Sequence, residues 1–473
     1  MRAARSWATF EQPKGCTPTG EWFCIRSSVV TGQVARGGRR SLPYEFPLPA
    51  NHSRTTMAPF HVQPPRNNPR MKPAAWTSSD VLLLIALVAV ALNLRAPFAS
   101  VAPIVGEIQT DLAINKTVAG LLTSIPVLCF GLLAPLASRC IARTSVETSV
   151  FLALLGVIAG SALRSSGGIT LALGGTFVIG AGITIGNIVS LVLIARDFPT
   201  RAATVMGIYT SALNVGPILT AALSEPLARR IGWRWTLVTW SSFAFVAMVL
   251  WWLATRQRRE DSEHAASALI TPGASVPAVH VLKRPVVWLL IVGFAAHLLI
   301  YYSLAAWLPE YLQQAAKLDP TSAGLAAAFF QMFALSGTVG VPILTKRFCG
   351  STLLIVISAA WIATTLGLLA APHFWPVWSV TGGFASGGGV TVIFMLAMAA
   401  ANGLDENRKI SAAVQGAGYL LAASGPVTMG ALAEWTGSWA AGLGLLTLCG
   451  VALAAVSGAL ASLVRPRIPS HAN

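Results

Sequence analysis

The stretch SLVLIARDFPTRAATVMGIYTSALN (residues 190–214) decides the fold of this chain. Two apolar runs meet here at Arg196, Asp197 and Arg201, with Pro199 between them, in a sequence of which only 11% is charged. Each apolar run continues outward for long enough to cross a bilayer as a helix. The charged cluster is therefore predicted to be a turn between two membrane spans.

The composition extends this interpretation to most of the chain. Apolar residues make up 54% of the 473 residues, and the mean hydropathy is +0.65. From about residue 80 onward, apolar runs of about 18 residues or more alternate with short polar breaks, which predicts an all-α, multi-pass membrane protein. The net charge of +16 does not indicate nucleic-acid binding, because eleven of the 33 Lys and Arg residues precede Asp80 and most others lie in short loops.

Hydropathy and Gly/Pro breaks predict twelve spans in two six-helix halves. The predicted spans are 80–106, 117–138, 146–164, 169–195, 202–227, 234–254, 285–309, 321–345, 351–371, 376–401, 410–433 and 438–464. The first half is predicted at 76–254, a cytosolic central loop at 255–284, the second half at 285–465 and a cytosolic tail at 466–473. Residues 1–75 are either a disordered basic extension or lie upstream of a true start at Met57 or Met71.

The basic residues predict the orientation of these spans. With both termini in the cytosol, the inside loops and tail hold fifteen Lys and Arg residues and the outside loops hold six. The six are Lys116, Arg164, Arg229, Arg230, Arg234 and Lys317. This bias predicts that both termini are cytosolic.

The two halves are also related in sequence. GGTFVIGAGITIG (174–186) resembles GGFASGGGVTVI (382–393) once one gap is allowed. Gly207 and Gly216-Pro217 recur 209 residues later as Gly416 and Gly425-Pro426. Parallel six-helix repeats of this kind build one large class of secondary transporters, with the substrate site near the membrane midplane.

Several segments then resemble a known family. They are LNLRAPFASVAPIVGEI (92–108), AGLLTSIPVLCFGLLAPLASR (119–139), ARDFPTRAATVMGIYTSAL (195–213), AAWLPEYL (305–312) and QGAGYLLAASGPVTMGAL (415–432). In order and in both halves, they resemble the cyanate and 2-nitroimidazole transporter (CynX/NimT) branch of the major facilitator superfamily. The resemblance implies twelve helices and transport of small anions or small heterocycles across the bacterial inner membrane. The family usually has Pro directly after the first-helix Arg, whereas here Ala96 intervenes before Pro97.

Arg95 is the foremost candidate for substrate binding. It lies about fifteen residues after Asp80, so a helix carries it roughly 22 Å into the hydrocarbon slab. A centred Arg costs at least about 2.5–3.5 kcal/mol and is expected to face a cavity or a partner. One interpretation is a guanidinium that binds an anionic or electron-rich planar substrate. The alternative is a structural Arg that neighbouring carbonyl groups satisfy.

Polar side chains at helical spacing give further substrate-binding candidates. On the fifth predicted span, Gly207, Thr210, Ser211 and Asn214 share a face, and Asn187 belongs to a similar face on the fourth. Such faces either line the substrate path or hydrogen-bond between helices. The remaining candidates are His297, Tyr301, Gln331, Gln415 and Tyr419.

His297 has two interpretations that the sequence leaves open. It lies near the middle of the seventh predicted span, where it is either a protonatable group for a coupling proton or a neutral, hydrogen-bonded histidine. No Asp or Glu falls in the middle of a predicted span. Proton symport, exchange and facilitated diffusion therefore remain alternatives.

A cytosolic gate is predicted at the charged turns. APLASRCIAR (134–143) occupies the place of the superfamily signature between helices two and three, with Arg139 kept and Ser138 where Asp is expected. Asp197 and Arg201 form the turn after the fourth span. We assign Arg139, Asp197 and Arg201 to this gate rather than to the substrate site.

The sequence predicts a secondary transporter that acts by alternating access. Efflux of small drugs is the alternative within transport, and a membrane-embedded enzyme has no HExxH, GxSxG or paired carboxylate in the spans to support it. No metal or other cofactor is predicted, because the six cysteines form no CxxC or Cys/His pair. The expected partners are a small-molecule substrate and the lipid bilayer, and the expected state is a monomer.

Overall fold

The computed structural model describes residues 76–261, 278–401 and 403–463. The predicted extension 1–75, the middle of the central loop and the tail 466–473 lie outside the described residues.

Fifteen α-helices make up most of the described part. They are α1 (Ser78–Asn93), α2 (Ala96–Ala99), α3 (Val105–Leu112), α4 (Lys116–Leu132), α5 (Ala134–Arg143), α6 (Val146–Ser165), α7 (Ile169–Asp197), α8 (Ala202–Asp261), α9 (Pro285–Ala315), α10 (Pro320–Leu344), α11 (Gly350–Ala370), α12 (Trp375–Ala400), α13 (Leu404–Ala422), α14 (Ser424–Thr436) and α15 (Ala440–Leu463). Short 3₁₀ helices cover Ala102–Ile104, Ala278–Lys283 and Pro372–Phe374, and the described residues contain no β-strand.

These helices form twelve spans, numbered in chain order. Span 1 comprises α1 to α3, span 2 comprises α4 and α5, and span 11 comprises α13 and α14. By length and composition alone, nine helical segments of the described chain qualify as spans, and the bent pair α4 and α5 is a tenth. The twelve are reached because α8 contains two spans and because span 11 is divided at Ala423.

Spans 5 and 6 meet at Gly232. A continuous helix of the length of α8 would measure about 90 Å, three times the hydrocarbon core. Gly232 has φ 77° and ψ 157°, which is non-helical and lies in the region that favours glycine. Residues 202–231 therefore form span 5 and residues 233–261 form span 6.

Span 2 departs from the sequence prediction. The segment 134–143, predicted as a signature loop, is the helix α5, and its axis is bent by 60° from that of α4. Pro135 lies in the first turn of α5 and has no N–H to continue the α4 hydrogen-bond ladder. The bend therefore follows from a proline at the junction.

Glycines of spans 5 and 11 show how the two halves correspond. A Cβ atom added to Gly216 would lie 2.3 Å from the carbonyl oxygen of Leu92, on span 1. A Cβ atom added to Gly425 would lie 3.0 Å from the carbonyl oxygen of Leu299, on span 7. Gly216 and Gly425 are the repeat-related pair, and Leu92 and Leu299 are 207 residues apart. The same offset of 207 residues places Tyr302 at the position equivalent to Arg95.

The two ends of the bundle carry different turns. Span 1 begins and span 12 ends at one end, which we call the terminal end, and the turns after spans 1, 3, 5, 7, 9 and 11 lie at the opposite end. At the opposite end, Lys116 of span 2 pairs with Glu310 of span 7 at 3.0 Å. Thr117 donates a hydrogen bond to Glu434 of span 11 at 2.9 Å. The halves are therefore joined at the opposite end.

Candidate functional site

Span 1 is broken at Arg95. The helix α1 ends at Asn93, and Arg95 has φ −130° and ψ −25°, outside the helical region. Pro97 follows in the first turn of α2. Because Pro97 has no N–H to donate to the Asn93 carbonyl group, the regular helix stops there. The charged side chain thus sits on an irregular segment inside the membrane, where backbone of this kind is tolerated next to a cavity or within protein.

Two glycines of neighbouring spans make room for this break. Gly216 of span 5 packs directly against the Leu92 carbonyl group. Gly186 of span 4 approaches Leu94 so closely that an added Cβ would lie 2.5 Å from its Cδ2 atom. A larger side chain at Gly216 would meet backbone of the broken segment, and one at Gly186 would meet the Leu94 side chain. The break is therefore built into the packing of spans 1, 4 and 5.

A cavity lies between the halves beside Arg95. The empty space enclosed here is about 630 Å³ when the part that is open to the exterior is included. It is lined by Arg95, Thr210, Leu213, Asn214, Leu298, Tyr301, Tyr302, Ala334, Thr338, Ser386, Gly387, Val390, Thr391 and Tyr419. Most of these residues lie midway along their spans or nearer the terminal end.

The lining gives the cavity a single charge. Arg95 is the one ionisable cation among these residues, and the lining includes no carboxylate in the described part of the chain. Arg95 also makes no ion pair with a described residue. The other polar groups are one amide, on Asn214, and seven hydroxyl groups. Five of these hydroxyl groups already donate to other residues, namely those of Thr210, Tyr301, Thr338, Ser386 and Thr391. A guanidinium in a low-dielectric cavity can hold a small anion or the acceptor atoms of a neutral ring.

Three tyrosines form much of the wall. The rings of Tyr301 and Tyr302 meet edge to face with centroids 4.9 Å apart, and Tyr301 donates a hydrogen bond to Gln331 Oε1 at 3.3 Å. Tyr419, on span 11, packs against Phe130 of span 2 at 5.3 Å. Rings held by such contacts present flat faces and hydroxyl groups in fixed positions.

The cavity brings together four of the eight predicted substrate-binding residues. Arg95, Asn214, Tyr301 and Tyr419 line it, whereas the other four do not. Gln331 stands behind Tyr301 and orients its hydroxyl group. Asn187 accepts a hydrogen bond from Tyr209 at 3.5 Å. Gln415 lies one helical turn before Tyr419, half-buried and outside the lining.

His297 is enclosed between spans. Its side chain is fully buried, and Trp361 Nε1 donates a hydrogen bond to its Nδ1 atom at 3.0 Å. A Cβ atom added to Gly389 would lie 2.2 Å from the imidazole Cε1 atom. An imidazole whose Nδ1 atom accepts has its proton on Nε2, and the Nε2 atom has no hydrogen-bond partner among the described residues. This environment is that of a packed, hydrogen-bonded histidine.

The predicted gate residues lie at the terminal end. Arg196 pairs with Glu147 of span 3 at 2.8 Å and with Asp197 at 3.0 Å. The guanidinium of Arg201 lies 4.3 Å from the ring of Trp76, at the start of span 1. Arg139 is exposed on α5. The ion pairs of Arg196 and the ring contact of Arg201 therefore connect spans of the first half to one another.

Sequence reasoning missed several lining residues and one buried cation. Ser386, Thr338 and Thr391 line the cavity, and the last two follow the lining residues Ala334 and Gly387 at a spacing of four, which marks one helix face. The prediction that Arg164 is an outside-loop residue is wrong. Instead it lies in the last turn of α6 with only 2% of its surface exposed.

Comparison with known proteins decides the family. A sequence profile of the Major Facilitator Superfamily matches residues 81–426. The chain belongs to the Major Facilitator Superfamily. It is 30% identical over 379 residues to the 2-nitroimidazole transporter of Escherichia coli (strain K12), which covers 79% of this chain and 92% of that protein. It is 28% identical over 374 residues to the cyanate transport protein CynX of the same organism, covering 78% and 95%.

Solved structures of the superfamily support the same fold. The crystal structure of nucleoside transporter NupG superposes with a TM-score of 0.66 at 11% identity, covering 80% of this chain and 99% of that one. The predicted all-α architecture of twelve spans in two pseudo-symmetric halves is confirmed. So is the predicted relationship to the CynX/NimT branch. This superfamily member is a multi-pass membrane transporter of a small molecule and not an enzyme.

Proposed function

We propose that this transporter moves a small anion or a small planar heterocycle through the Arg95 cavity. The observation that carries the proposal is the single guanidinium among hydroxyl and aromatic groups, with no carboxylate in the described lining. A desolvated cation without a counter-charge favours a ligand that supplies one. Two relatives that match most of the chain are named for 2-nitroimidazole and cyanate, and both compounds are small and rich in acceptor atoms.

The lining also indicates the shape of the substrate. Arg95 can donate two parallel hydrogen bonds to neighbouring acceptors on a planar group. The edges and faces of Tyr301 and Tyr302 restrict the thickness of what fits beside it. Asn214 adds an amide to the lining, and Tyr302 and Tyr419 add hydroxyl groups. A positively charged cavity repels organic cations, so this lining disfavours the alternative of cationic drug efflux.

The mechanism that we propose is alternating access of the two halves. The halves are joined at the opposite end, by Lys116 to Glu310 and by Thr117 to Glu434. The cavity lies midway and toward the terminal end. Transport requires these opposite-end contacts to break while contacts form at the terminal end.

We further propose that the transporter is a monomer in the bacterial inner membrane with both termini in the cytosol. The excess of Lys and Arg in terminal-end turns supports this orientation. The terminal end is then the cytosolic side, and the structure corresponds to a state that is closed to the outside. Arg139, Asp197 and Arg201 take the role of a cytosolic gate in this scheme.

Uptake by proteoliposomes tests the proposed substrate class. Radiolabelled cyanate and 2-nitroimidazole are offered to liposomes that contain the unaltered protein, Arg95→Ala, Arg95→Lys or the control Arg230→Ala. Arg230 is exposed at the opposite end, so its variant changes the net charge without touching the cavity. We expect saturable counterflow of at least one compound, lost in Arg95→Ala, partly kept in Arg95→Lys and unchanged in the control. Full activity of Arg95→Ala overturns the proposal, as does uptake that organic cations inhibit better than anions do.

A further inference from the structure

A second buried arginine stands behind the broken segment of span 1. The Arg164 guanidinium donates a hydrogen bond from Nη1 to the carbonyl oxygen of Pro97 at 2.8 Å. Its Nε and Nη2 atoms have no hydrogen-bond partner among the described residues. Burial of a guanidinium with one hydrogen bond is costly, so a residue whose only task was to fill space would be apolar.

The carbonyl group that Arg164 binds has lost its helical partner. In a regular helix the N–H of Val101 would donate to Pro97, but here it donates to Phe98 at 3.3 Å. The Pro97 oxygen instead accepts from the Ser100 hydroxyl group at 3.0 Å and from Arg164. The break that displays Arg95 therefore depends on side chains for its hydrogen bonds, and Arg164 is the one that comes from another span.

Arg164 is itself held in place. A Cβ atom added to Gly175 of span 4 would lie 2.3 Å from the Arg164 backbone nitrogen and 2.5 Å from the Gly160 carbonyl oxygen. Spans 3 and 4 thus touch backbone to backbone at the base of this side chain. On the other side of α2, the ring of Phe98 contacts that of Tyr302 in the cavity wall, with centroids 6.2 Å apart.

We propose that Arg164 is a positioning residue for substrate binding: its hydrogen bond to Pro97 fixes α2 between span 3 and Tyr302, and so directs the Arg95 side chain into the cavity. Arg164 contacts the backbone two residues from Arg95, and this contact does not involve the substrate. The proposal rests on the role proposed for Arg95. It concerns only the placement of the Arg95 side chain, so it can be tested without any substrate.

Chemical modification of Arg95 provides the test. The purified full-length protein is treated with phenylglyoxal, and the rate of adduct formation at each arginine is read by mass spectrometry, with exposed Arg347 as the internal reference. The variants are Arg164→Met, Arg164→Gln and Arg164→Lys, with Arg230→Met as the matched control. Gln ends two bonds short of Nη1 and cannot reach Pro97, whereas Lys keeps a charged donor near that position.

We expect the modification rate of Arg95 to fall by about threefold or more in the Met and Gln variants. The Lys variant should regain most of the rate, and Arg230→Met and the Arg347 reference should not change. If Arg164→Met does not fold, the comparison of Arg164→Gln with Arg164→Lys tests the same prediction. An unchanged or increased rate at Arg95 in the Gln variant overturns the proposal. An Arg95 that is unreactive in the unaltered protein contradicts its place in the cavity and hence the proposed function instead.

Discussion

Lys116 Nζ lies 3.0 Å from Glu310 Oε1, and the two residues belong to different halves of the transporter. Lys116 also lies 4.4 Å from the ring of Trp439, and Gln314 donates to the same Glu310 oxygen at 3.1 Å. The Glu310 carboxylate is mostly buried, with 10% of its side chain exposed. This ion pair therefore joins the halves, and the proposed alternating access must break and remake it.

Replacement of Glu310 by Gln should favour opening at this end of the bundle. Hydrogen bonds to charged groups contribute about 1.5–3 kcal/mol, so the open population should rise roughly tenfold or more. The readout is alkylation, from the opposite end, of a cysteine introduced in place of Val427, whose Cα atom lies against Gly120 across the halves. The background for this measurement has its native cysteines replaced.

A matched ion pair within one half provides the control. Asp111 and Arg234 pair at 2.6 Å at the same end of the bundle, but both belong to the first half. Asp111→Asn should therefore leave alkylation at position 427 unchanged. Equal alkylation in Glu310→Gln and the unaltered protein would show that the pair does not hold the halves together.

The close approach of spans 1 and 5 predicts a strong effect of one methyl group. In Gly216→Ala the new Cβ would lie 2.3 Å from the Leu92 carbonyl oxygen, which is backbone and cannot rotate away. Overpacking of this kind costs about 1–3 kcal/mol, and here it also displaces the segment that carries Arg95. We expect a lower melting temperature in detergent together with weaker substrate binding.

Gly207 on the same span is the matched control for Gly216. No heavy atom lies within 4 Å of a Cβ atom added there, so Gly207→Ala should be neutral or stabilising by about 0.5–1 kcal/mol. The repeat predicts the same contrast in the second half, where Gly425→Ala would meet Ser303 and Leu299 and Gly416→Ala would meet nothing. Equal melting temperatures for Gly216→Ala and Gly207→Ala would contradict the close approach.

Arg95 and Arg164 show what the sequence can and cannot predict. Arg95 interrupts a long apolar run, so the free-energy cost of placing it in the membrane can be inferred from the sequence alone. Arg164 is more deeply buried than Arg95, but it lies a few residues from a turn, where a cation ordinarily faces water. Its burial depends on the contact between Gly160 and Gly175, which joins two spans and leaves no periodic pattern.

The positions of the spans can be predicted from the sequence, but the breaks within them cannot. The repeat between the halves and the twelve spans follow from hydropathy and glycine spacing, which are properties of each segment. Span 1 is divided at Arg95 and span 2 bends after Leu132, and in each case a proline lies just beyond the break. Whether a proline breaks its helix depends on whether neighbouring spans leave room for the break, as glycines do. Prolines such as Pro126 lie inside continuous helices, so the residue type does not by itself predict a break.

His297 should not carry the coupling proton if transport depends on pH. A neutral imidazole that accepts from Trp361 inside the second half can be replaced by Gln, whose amide oxygen also accepts. We expect His297→Gln to lower the melting temperature but to leave the pH profile of initial uptake unchanged. Trp361→Phe, which removes the donor, should behave in the same way. A flattened pH profile in His297→Gln alone would restore the coupling role.

The proposed gate predicts a loss of turnover without a loss of affinity. In the double variant Asp197→Asn, Arg201→Gln, Arg196 loses one of its two carboxylate partners, and Trp76 loses the guanidinium stacked on its ring. Neither residue lines the cavity, so the Kd for substrate should not change. The maximal rate of counterflow should fall, because in the proposed gate these turns contact the second half each time the terminal end closes. Arg139→Gln alters an exposed residue that makes no ion pair with the described chain, and it should have the smaller effect. Normal kinetics in the double variant would assign these charges to membrane orientation alone, because an orienting residue acts during insertion and not during turnover.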